Sequence, residues 1–222
     1  MFLGFSSILL IMKGRYIESG FLILLAGLMD IFDGKIARLL GISSKFGVEF
    51  DSLADVVSFC VAPSILVYNI YCSELNTLVG AIFSFIPLIA GTVRLAKYNL
   101  ESDEDNPKSY FIGLSTPISA VTILAFMYFN NKIGGEFFYG DPRLGLSLVG
   151  VLGLLMLSPI HFPKAPMITF RSSQSNSLLL MILIISSFSL IIWKGFALLP
   201  ICLGYIITNT ILWLYRFRTT TL

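Results

Sequence analysis

Long apolar runs separated by short polar connections make up most of this chain. A membrane-spanning helix needs roughly 20 apolar residues. In lipid every backbone polar group must pair within its own segment, so such runs predict helices. We expect them at residues 2–12, 16–40, 48–71, 75–96, 111–129, 144–159, 177–193 and 196–215. The first run is short for a span, which leaves open whether that span is truncated.

The composition also indicates a membrane protein. Of the 222 residues, 56% are apolar and 13% are charged, and the mean hydropathy is +0.86, whereas soluble domains carry about 25% charged residues. We therefore expect one all-α, integral-membrane domain over residues 1–222, a polytopic bundle of about seven to eight spans. Its surroundings are the lipid bilayer, and no nucleic-acid partner is expected.

The basic residues are divided unequally between the two sides of this bundle. Ten of the 15 lysines and arginines fall in one set of connections, and connections rich in these residues face the cytoplasm. The ten are Lys35, Arg38, Lys45, Arg94, Lys97, Lys108, Lys164, Arg171, Arg216 and Arg218. We therefore place the protein in the cytoplasmic membrane, with this side towards the cytoplasm.

Four aspartates interrupt the apolar pattern on that same side. Asp30 and Asp33 lie near the end of one predicted helix, and Asp51 and Asp55 lie near the start of the next. A carboxylate at membrane depth costs about 2.5–3.5 kcal/mol even on the mildest insertion scale. Four together indicate a functional site in which something cationic neutralises them.

The spacing of these acids predicts two facing helix surfaces. Each set of residues recurs at intervals of three or four, which keeps its members on one helix face. The sets are Asp30, Asp33 and Ala37, and Gly47, Asp51 and Asp55. A tight turn around residues 41–44 would make the two helices antiparallel neighbours, so that the acidic faces converge on a polar cavity.

The donor types predict a particular metal chemistry. Oxygen ligands without histidine or cysteine favour Mg²⁺ or Mn²⁺ over Zn²⁺, and two divalent cations would balance four carboxylates. Paired metals are a common device for phosphoryl displacement, and Arg38 and Lys45 add positive charge for phosphate oxygens. We therefore expect metal-dependent chemistry on a phosphate or pyrophosphate.

Two alternative roles for the acids stay open. They could form interhelical ion pairs with Lys35, Arg38 and Lys45, or they could mark the pathway of a cation-coupled transporter. A transporter predicts acids spread over several spans. Here they are confined to two consecutive helices beside basic residues, which favours the phosphate chemistry.

These residues resemble the signature of the CDP-alcohol phosphatidyltransferase family, D-x2-D-G-x2-A-R-x8-G-x3-D-x3-D. All of its fixed positions are filled with the spacing kept, by Asp30, Asp33, Gly34, Ala37, Arg38, Gly47, Asp51 and Asp55. Three further segments are similar to the phosphatidylserine synthase branch: residues 46–63, the Arg-Leu-Ala-Lys-Tyr-Asn that begins at Arg94, and the Phe-Ile-Gly-Leu-Ser-Thr-Pro that begins at Phe111.

The resemblance implies transfer of the phosphatidyl group from CDP-diacylglycerol to the hydroxyl of L-serine, with release of CMP. It implies that the metals are held by Asp30, Asp33, Asp51 and Asp55, with Asp55 as general base. It implies that the CDP moiety contacts Asp30, Gly34, Ala37, Arg38 and Gly47. Family members often form dimers, so a homodimer stays open.

The acceptor alcohol is the least determined part of this interpretation. Glycerol 3-phosphate or inositol phosphate could replace serine, an archaeal-type lipid could be the donor, and a CDP-lipid hydrolase would share the metal site. Lys45, Arg94 and Asn99 are candidates for binding the serine carboxylate or a lipid phosphate, although an ordinary interface position would account for them too.

The remaining potential ligands are expected to be structural. The three cysteines, Cys60, Cys72 and Cys202, have no metal-ligand spacing and are predicted to be buried free thiols. The single histidine, His161, is predicted to be an interface residue rather than a catalytic one.

Overall fold

The computed structural model describes residues 1–40, 45–101, 110–135, 138–163 and 196–220, and this part of the chain is mostly helical. Its elements in chain order are α1 (Phe2–Met12), α2 (Tyr16–Leu40), α3 (Lys45–Asp55), α4 (Ala62–Val67), α5 (Thr77–Glu101), β1 (Tyr110–Ile112), α6 (Thr116–Gly134), α7 (Pro142–Leu157), β2 (His161–Pro163) and α8 (Leu198–Thr220).

Helices α3 and α4 belong to one long helix that contains two π-helical stretches, Val56–Val61 and Tyr68–Cys72. A π-helical turn carries i→i+5 hydrogen bonds, is wider than an α-helical turn, and is frequent at functional sites. The first stretch begins directly after Asp55. The regular α-helical spacing therefore persists through Asp55 and changes immediately beyond it.

Several described helices have the length and composition of membrane helices. Three could cross a membrane on these grounds, Phe46–Cys72, Thr77–Leu100 and Leu198–Tyr215, while α1 and α7 are apolar but shorter. These features confirm a membrane-type helical chain. The predicted run at 177–193 lies outside the described residues, and the total of about seven to eight spans stays a prediction.

The predicted helix over residues 111–129 is wrong at its start, because the chain forms a strand before α6 begins at Thr116. Strand β1 pairs antiparallel with β2, with Phe111 opposite Phe162. The strand contains β-prone Tyr, Phe and Ile and is followed by Gly113 at φ +74°, a value incompatible with a right-handed helix. The prediction of an all-α fold is therefore incomplete, because the chain also contains this two-stranded antiparallel ribbon of β1 and β2.

Helix α6 lies at the centre of the described bundle and contributes to two apolar cores. Its Ile123 packs in a core with residues of α5, α7, β2 and α8. Its Ala120 and Leu124 pack in a second core with residues of α1, α2 and α4. Both cores therefore depend on α6, which joins the aspartate-bearing helices to the ribbon side of the molecule.

Helix α5 exposes an apolar stripe on its outer face. The stripe follows helical spacing and consists of Leu78, Ile82, Phe85, Ile89 and Val93, which are 43–75% exposed. Contiguous apolar surface of this kind is unfavourable in water and suits contact with lipid. The same helix places Arg94, the next residue after the stripe, among buried residues.

Helix α1 is fixed against the helices that carry the acids. The hydroxyls of Ser7 in α1 and Ser19 in α2 are 2.9 Å apart and fully buried. Each satisfies the other in surroundings where an unpaired hydroxyl would be costly. Gly4 lies against Ser58 of the first π-helical stretch, where a Cβ would come within 2.7 Å of the Ser58 Cα. These contacts hold the start of α1 beside the acidic face.

We predict that Gly113→Ala destabilises the fold more than Gly14→Ala. Both glycines have left-handed φ values, +74° and +72°, which cost an alanine about 1–2 kcal/mol. At Gly113 an added Cβ would also collide with the Met156 carbonyl oxygen, whereas at Gly14 nothing lies within 4 Å. Thermal unfolding in detergent measures the difference, at about 2–4 °C per kcal/mol for a chain of this size. Equal shifts for the two variants would contradict it.

Candidate functional site

A cavity of about 60 Å³ lies at the end of the bundle where α2 and α3 face each other. All four aspartates line it, Asp30 and Asp33 from α2 and Asp51 and Asp55 from α3. The structure therefore brings together the acids that the helical spacing predicted to converge.

The rest of the cavity wall is largely apolar. Ala26 and Met29 of α2 line it between the acids and the core, with Leu3 of α1 and Phe59 of the π-helical stretch. Such a wall lowers the local dielectric constant, which strengthens interactions between charges. The carboxylates therefore act on one another more strongly than they would at an open surface.

The acids form one mutually repulsive group. The negative charges of Asp51 and Asp33 repel that of Asp30, and those of Asp30 and Asp51 repel that of Asp55. Arg94 opposes this repulsion at Asp55. Among the described residues the one ion pair is between Arg15 and Glu18, so no aspartate of the group is paired with a described basic side chain.

The chemistry of this donor set suits divalent cations. Carboxylate oxygens without nitrogen or sulfur donors are the ligands that Mg²⁺ and Mn²⁺ prefer, and the charge of the group calls for a cation. Within the described part of the chain, no three acidic, histidine or cysteine side chains converge on one point. Ligation of one ion by three of the aspartates would therefore require these side chains to move closer together.

The other residues of the family signature are only partly visible. Gly34, Ala37 and Arg38 belong to the final turns of α2, and Lys45 begins α3, but their side chains lie outside the described part. The turn predicted at residues 41–44 also lies outside it. The proposed ion pairs with Lys35, Arg38 and Lys45 fall there too. Gly47 is exposed on α3, one turn before Asp51.

Arg94 extends the polar region from α5. It is only 7% exposed, and its Nε has no hydrogen-bond partner among the described residues. Its guanidinium carbon lies 5.7 Å from the centre of the Phe111 ring of β1. Arg94 is therefore a buried cation whose charge acts on Asp55 of the acidic group.

Asn99 connects α5 to α3. Its Nδ2 donates to Ser52 Oγ at 3.0 Å and to Glu49 Oε2 at 3.4 Å. These contacts hold α5 beside the helix that carries Asp51 and Asp55. The predicted ligand-binding role of Asn99 stays a prediction, and the structure adds a positional role for it.

Sequence reasoning missed three residues around this site. Glu49 and Ser52 lie between the fixed positions of the signature, and their i, i+3 spacing, which places them on one helix face, was the available signal for a contact with α5. Phe111 stood out only as part of a segment similar to the synthase branch. Its contact with Arg94 had no signal in the local sequence, because the two residues belong to different elements.

The structure confirms the prediction for the three cysteines, while the interface position of His161 stays a prediction. Cys60, Cys72 and Cys202 are buried and free. His161 is exposed on β2, with its ring 4.2 Å from that of Tyr110. None of these residues lines the acidic cavity.

A comparison with models of protein families shows which family the chain belongs to. The model of the CDP-alcohol phosphatidyltransferases matches residues 1–160, a range that includes the four aspartates, Arg94 and Asn99. The chain belongs to the CDP-alcohol phosphatidyltransferase family. The family is generally dependent on divalent metals, in agreement with the donor set of the cavity.

Curated relatives extend the similarity beyond the family model. The CDP-diacylglycerol–serine O-phosphatidyltransferase of Helicobacter pylori (strain ATCC 700392 / 26695) is 35% identical over 217 residues, which cover 97% of this chain and 87% of the relative. The enzyme of the same name from Methanocaldococcus jannaschii is 36% identical over 177 residues, 80% of this chain and 79% of the relative. The archaetidylserine synthase of Methanothermobacter thermautotrophicus is 35% identical over 165 residues, 72% of this chain and 64% of the relative.

We predict that Mg²⁺ or Mn²⁺ raises the unfolding temperature of the phosphatidyltransferase and that Asp51→Asn reduces this gain. Without divalent cations, the variant should unfold at a higher temperature than the wild type, because loss of one carboxylate relieves repulsion with Asp30 and Asp33. Thermal unfolding in detergent, with chelator or with cation, measures both effects.

The matched control is Glu74→Gln, which removes an exposed carboxylate outside the cavity. It should respond to the cations like the wild type. An equal gain in the wild type and Asp51→Asn would show that the acidic cavity does not bind the cation.

Proposed function

We propose that this protein transfers the phosphatidyl group of CDP-diacylglycerol to the hydroxyl of L-serine, forming phosphatidylserine and CMP. The observation that carries the proposal is the meeting of the four signature aspartates at one cavity. The acceptor is supported by the relative in H. pylori that is named for serine and is similar across 97% of this chain.

The proposal includes the cytoplasmic membrane as the site of action, with the cavity facing the cytoplasm. The excess of lysine and arginine on that side supports this orientation. The lipid tails of the donor would stay in the bilayer while the nucleotide and serine enter from water. We also assign residues 1–222 to a single domain, and the contacts of α8 with α6 and β2 support it. The apolar runs of the sequence predict a bundle of about seven to eight spans.

We assign two divalent cations, Mg²⁺ or Mn²⁺, to Asp30, Asp33, Asp51 and Asp55. Bound there, they would supply positive charge for the phosphoryl oxygens and the departing CMP. The repulsion among the four carboxylates and the absence of an ion pair between any of them and a described basic side chain support this assignment.

Asp55 is the proposed general base. A serine hydroxyl is a poor nucleophile near neutral pH and needs a base within hydrogen-bond reach. Asp55 would accept its proton as the serine oxygen bonds to the phosphorus that carries the diacylglycerol, while the bond from that phosphorus to CMP breaks. Its half-buried position beside Phe59 supports a carboxylate partly shielded from water.

The CDP moiety is assigned to the signature residues that lie between or beside the aspartates in the sequence. Small residues at Gly34, Ala37 and Gly47 would leave room for the nucleotide, and Arg38 would supply a cation for its phosphates. Asp30 is assigned to both the metals and the nucleotide.

The acceptor is assigned to the side of the site formed by α5. Burial of a guanidinium is costly unless an anion or acceptor pairs with it, and Arg94 is buried with its Nε unpartnered among the described residues. The serine carboxylate would supply that partner. Asn99 and Lys45 are assigned less specific roles in holding the serine or a lipid phosphate.

A second candidate differs only in the lipid donor. The archaetidylserine synthase that resembles this chain supports an archaeal-type CDP-lipid with the same acceptor. Both candidates share the cavity and the cations.

We expect purified protein to release CMP from CDP-diacylglycerol when serine and Mg²⁺ or Mn²⁺ are present. Glycerol 3-phosphate and inositol phosphate, tested in parallel, should give little product, and a chelator should stop the reaction. Release of CMP with another acceptor and not with serine would contradict the proposed function. Movement of ions across liposomes without CMP release would instead indicate a transporter.

We expect Asp55→Asn to lower the transfer rate by at least about 10²–10⁴-fold, the usual contribution of a general base. The amide cannot accept the serine proton, while the helix that carries it should still form. CMP release measures the rate, and Glu74→Gln serves as the matched acid-to-amide control outside the cavity. Turnover of Asp55→Asn close to that of the wild type would eliminate the assigned role.

A further inference from the structure

We infer that Phe111 is a positioning residue for acceptor binding, which holds the Arg94 guanidinium from the β1–β2 ribbon. The inference rests on the proposed binding of the acceptor's anionic group by Arg94. It assigns a role to the Phe-Ile-Gly-Leu-Ser-Thr-Pro segment, which the metal and nucleotide sites do not explain.

The contact between Phe111 and Arg94 has the geometry of a cation–π interaction. The guanidinium carbon is 5.7 Å from the ring centre, within the usual limit of about 6 Å. The Phe111 ring also lies 5.6 Å from the ring of Tyr98, which is one turn after Arg94 on α5. Phe111 therefore lies against two successive turns of this helix.

This mode of contact leaves hydrogen-bonding capacity for a ligand. An aromatic ring attracts the face of a guanidinium, whereas its N–H donors lie in the plane and point from its edge. The Nε of Arg94 has no hydrogen-bond partner in the described part of the chain. The ring therefore contacts the cation without using the donors that a carboxylate or phosphate would need.

The opposing strand anchors Phe111 from one side. Phe111 pairs with Phe162 in the antiparallel register of the ribbon. Phe162 is 1% exposed, and its ring stacks 6.0 Å from that of Tyr205 in α8. The ribbon is thus attached to the core of the bundle directly opposite Phe111.

Hydrogen bonds of the residues after β1 keep the strand from sliding along its own axis. The N–H of Gly113 donates to the Ile160 carbonyl at 2.8 Å, and that of Leu114 donates to the Leu155 carbonyl at 3.0 Å. Gly113 also packs so closely on the Met156 carbonyl that no side chain fits. A slip by one residue would turn Phe111 to the other face of the ribbon, and these contacts oppose it.

The decisive experiment measures steady-state kinetics of Phe111→Leu with the acceptor that the wild type uses in the acceptor panel. We expect the KM for that acceptor to rise about tenfold, equivalent to about 1.4 kcal/mol, which lies within the range of a desolvated cation–π contact. The kcat and the KM for CDP-diacylglycerol should stay near their wild-type values. Phe111→Tyr, which keeps the ring, should restore the acceptor KM.

Tyr110→Leu is the matched control. It removes an aromatic ring from the same strand, but that ring faces His161 and not Arg94. Its acceptor KM should be that of the wild type. Phe111→Met, which nearly conserves volume without a ring, is the second variant in case leucine impairs folding, and it should reproduce the rise in acceptor KM.

A double-mutant cycle tests whether Phe111 acts through Arg94. Arg94→Gln should itself raise the acceptor KM, and adding Phe111→Leu should cause no further rise. An unchanged acceptor KM in Phe111→Leu, an independent effect in the Arg94→Gln background, or a parallel loss in all kinetic parameters would overturn the inference. If the wild type takes an acceptor other than serine, the proposed function fails, and the Phe111 test is read with that acceptor.

Discussion

The cost of placing negative charge in an apolar bundle constrains the whole arrangement. Each carboxylate must stay near water or near a cation, and carboxylates close together repel one another. The chain meets this constraint by gathering Asp30, Asp33, Asp51 and Asp55 at one end of two neighbouring helices, around a single cavity. Asp33 and Asp51 remain exposed there, while Asp30 and Asp55 are half-buried. Elsewhere the helices can be as apolar as lipid requires.

The two sides of the site are built by different kinds of contact. The acidic side comes from α2 and α3, which are consecutive, so a short connection and regular helical spacing suffice. The basic side comes from Arg94 on α5, whose guanidinium carbon lies 5.7 Å from the centre of the Phe111 ring. Helix α5 is joined to α3 through Asn99. A buried cation there offsets part of the acidic charge at Asp55. In a phosphatidyltransferase, this division places the proposed metal and nucleotide groups on one side and the proposed acceptor on the other.

Helix prediction succeeded where apolar runs were uninterrupted and failed where a strand preceded one. Residues 16–40 form α2 with the predicted bounds, and the runs at 75–96 and 144–159 correspond to α5 and α7. The run at 111–129 was misassigned at its start because Phe111 is apolar enough to extend a helix. What makes it a strand residue is pairing with Phe162, which lies 51 positions further along the chain (162 − 111). Local hydropathy carries no information about such a partner.

The sequence by itself determined which acids belong together, the donor chemistry of their cavity and the family. The grouping follows from spacing along a helix, where 3.6 residues per turn place i, i+3 and i+4 on one face. The donor chemistry follows from the residue types, and the family follows from the match of these residues to its signature. Only the tertiary structure decided that Arg94 is buried, that its guanidinium contacts the Phe111 ring and that Asn99 reaches Ser52. These contacts join elements far apart in the chain, so they depend on how α5, α6 and the ribbon pack. Helical periodicity is a local property, whereas the position of a side chain between packed elements is not.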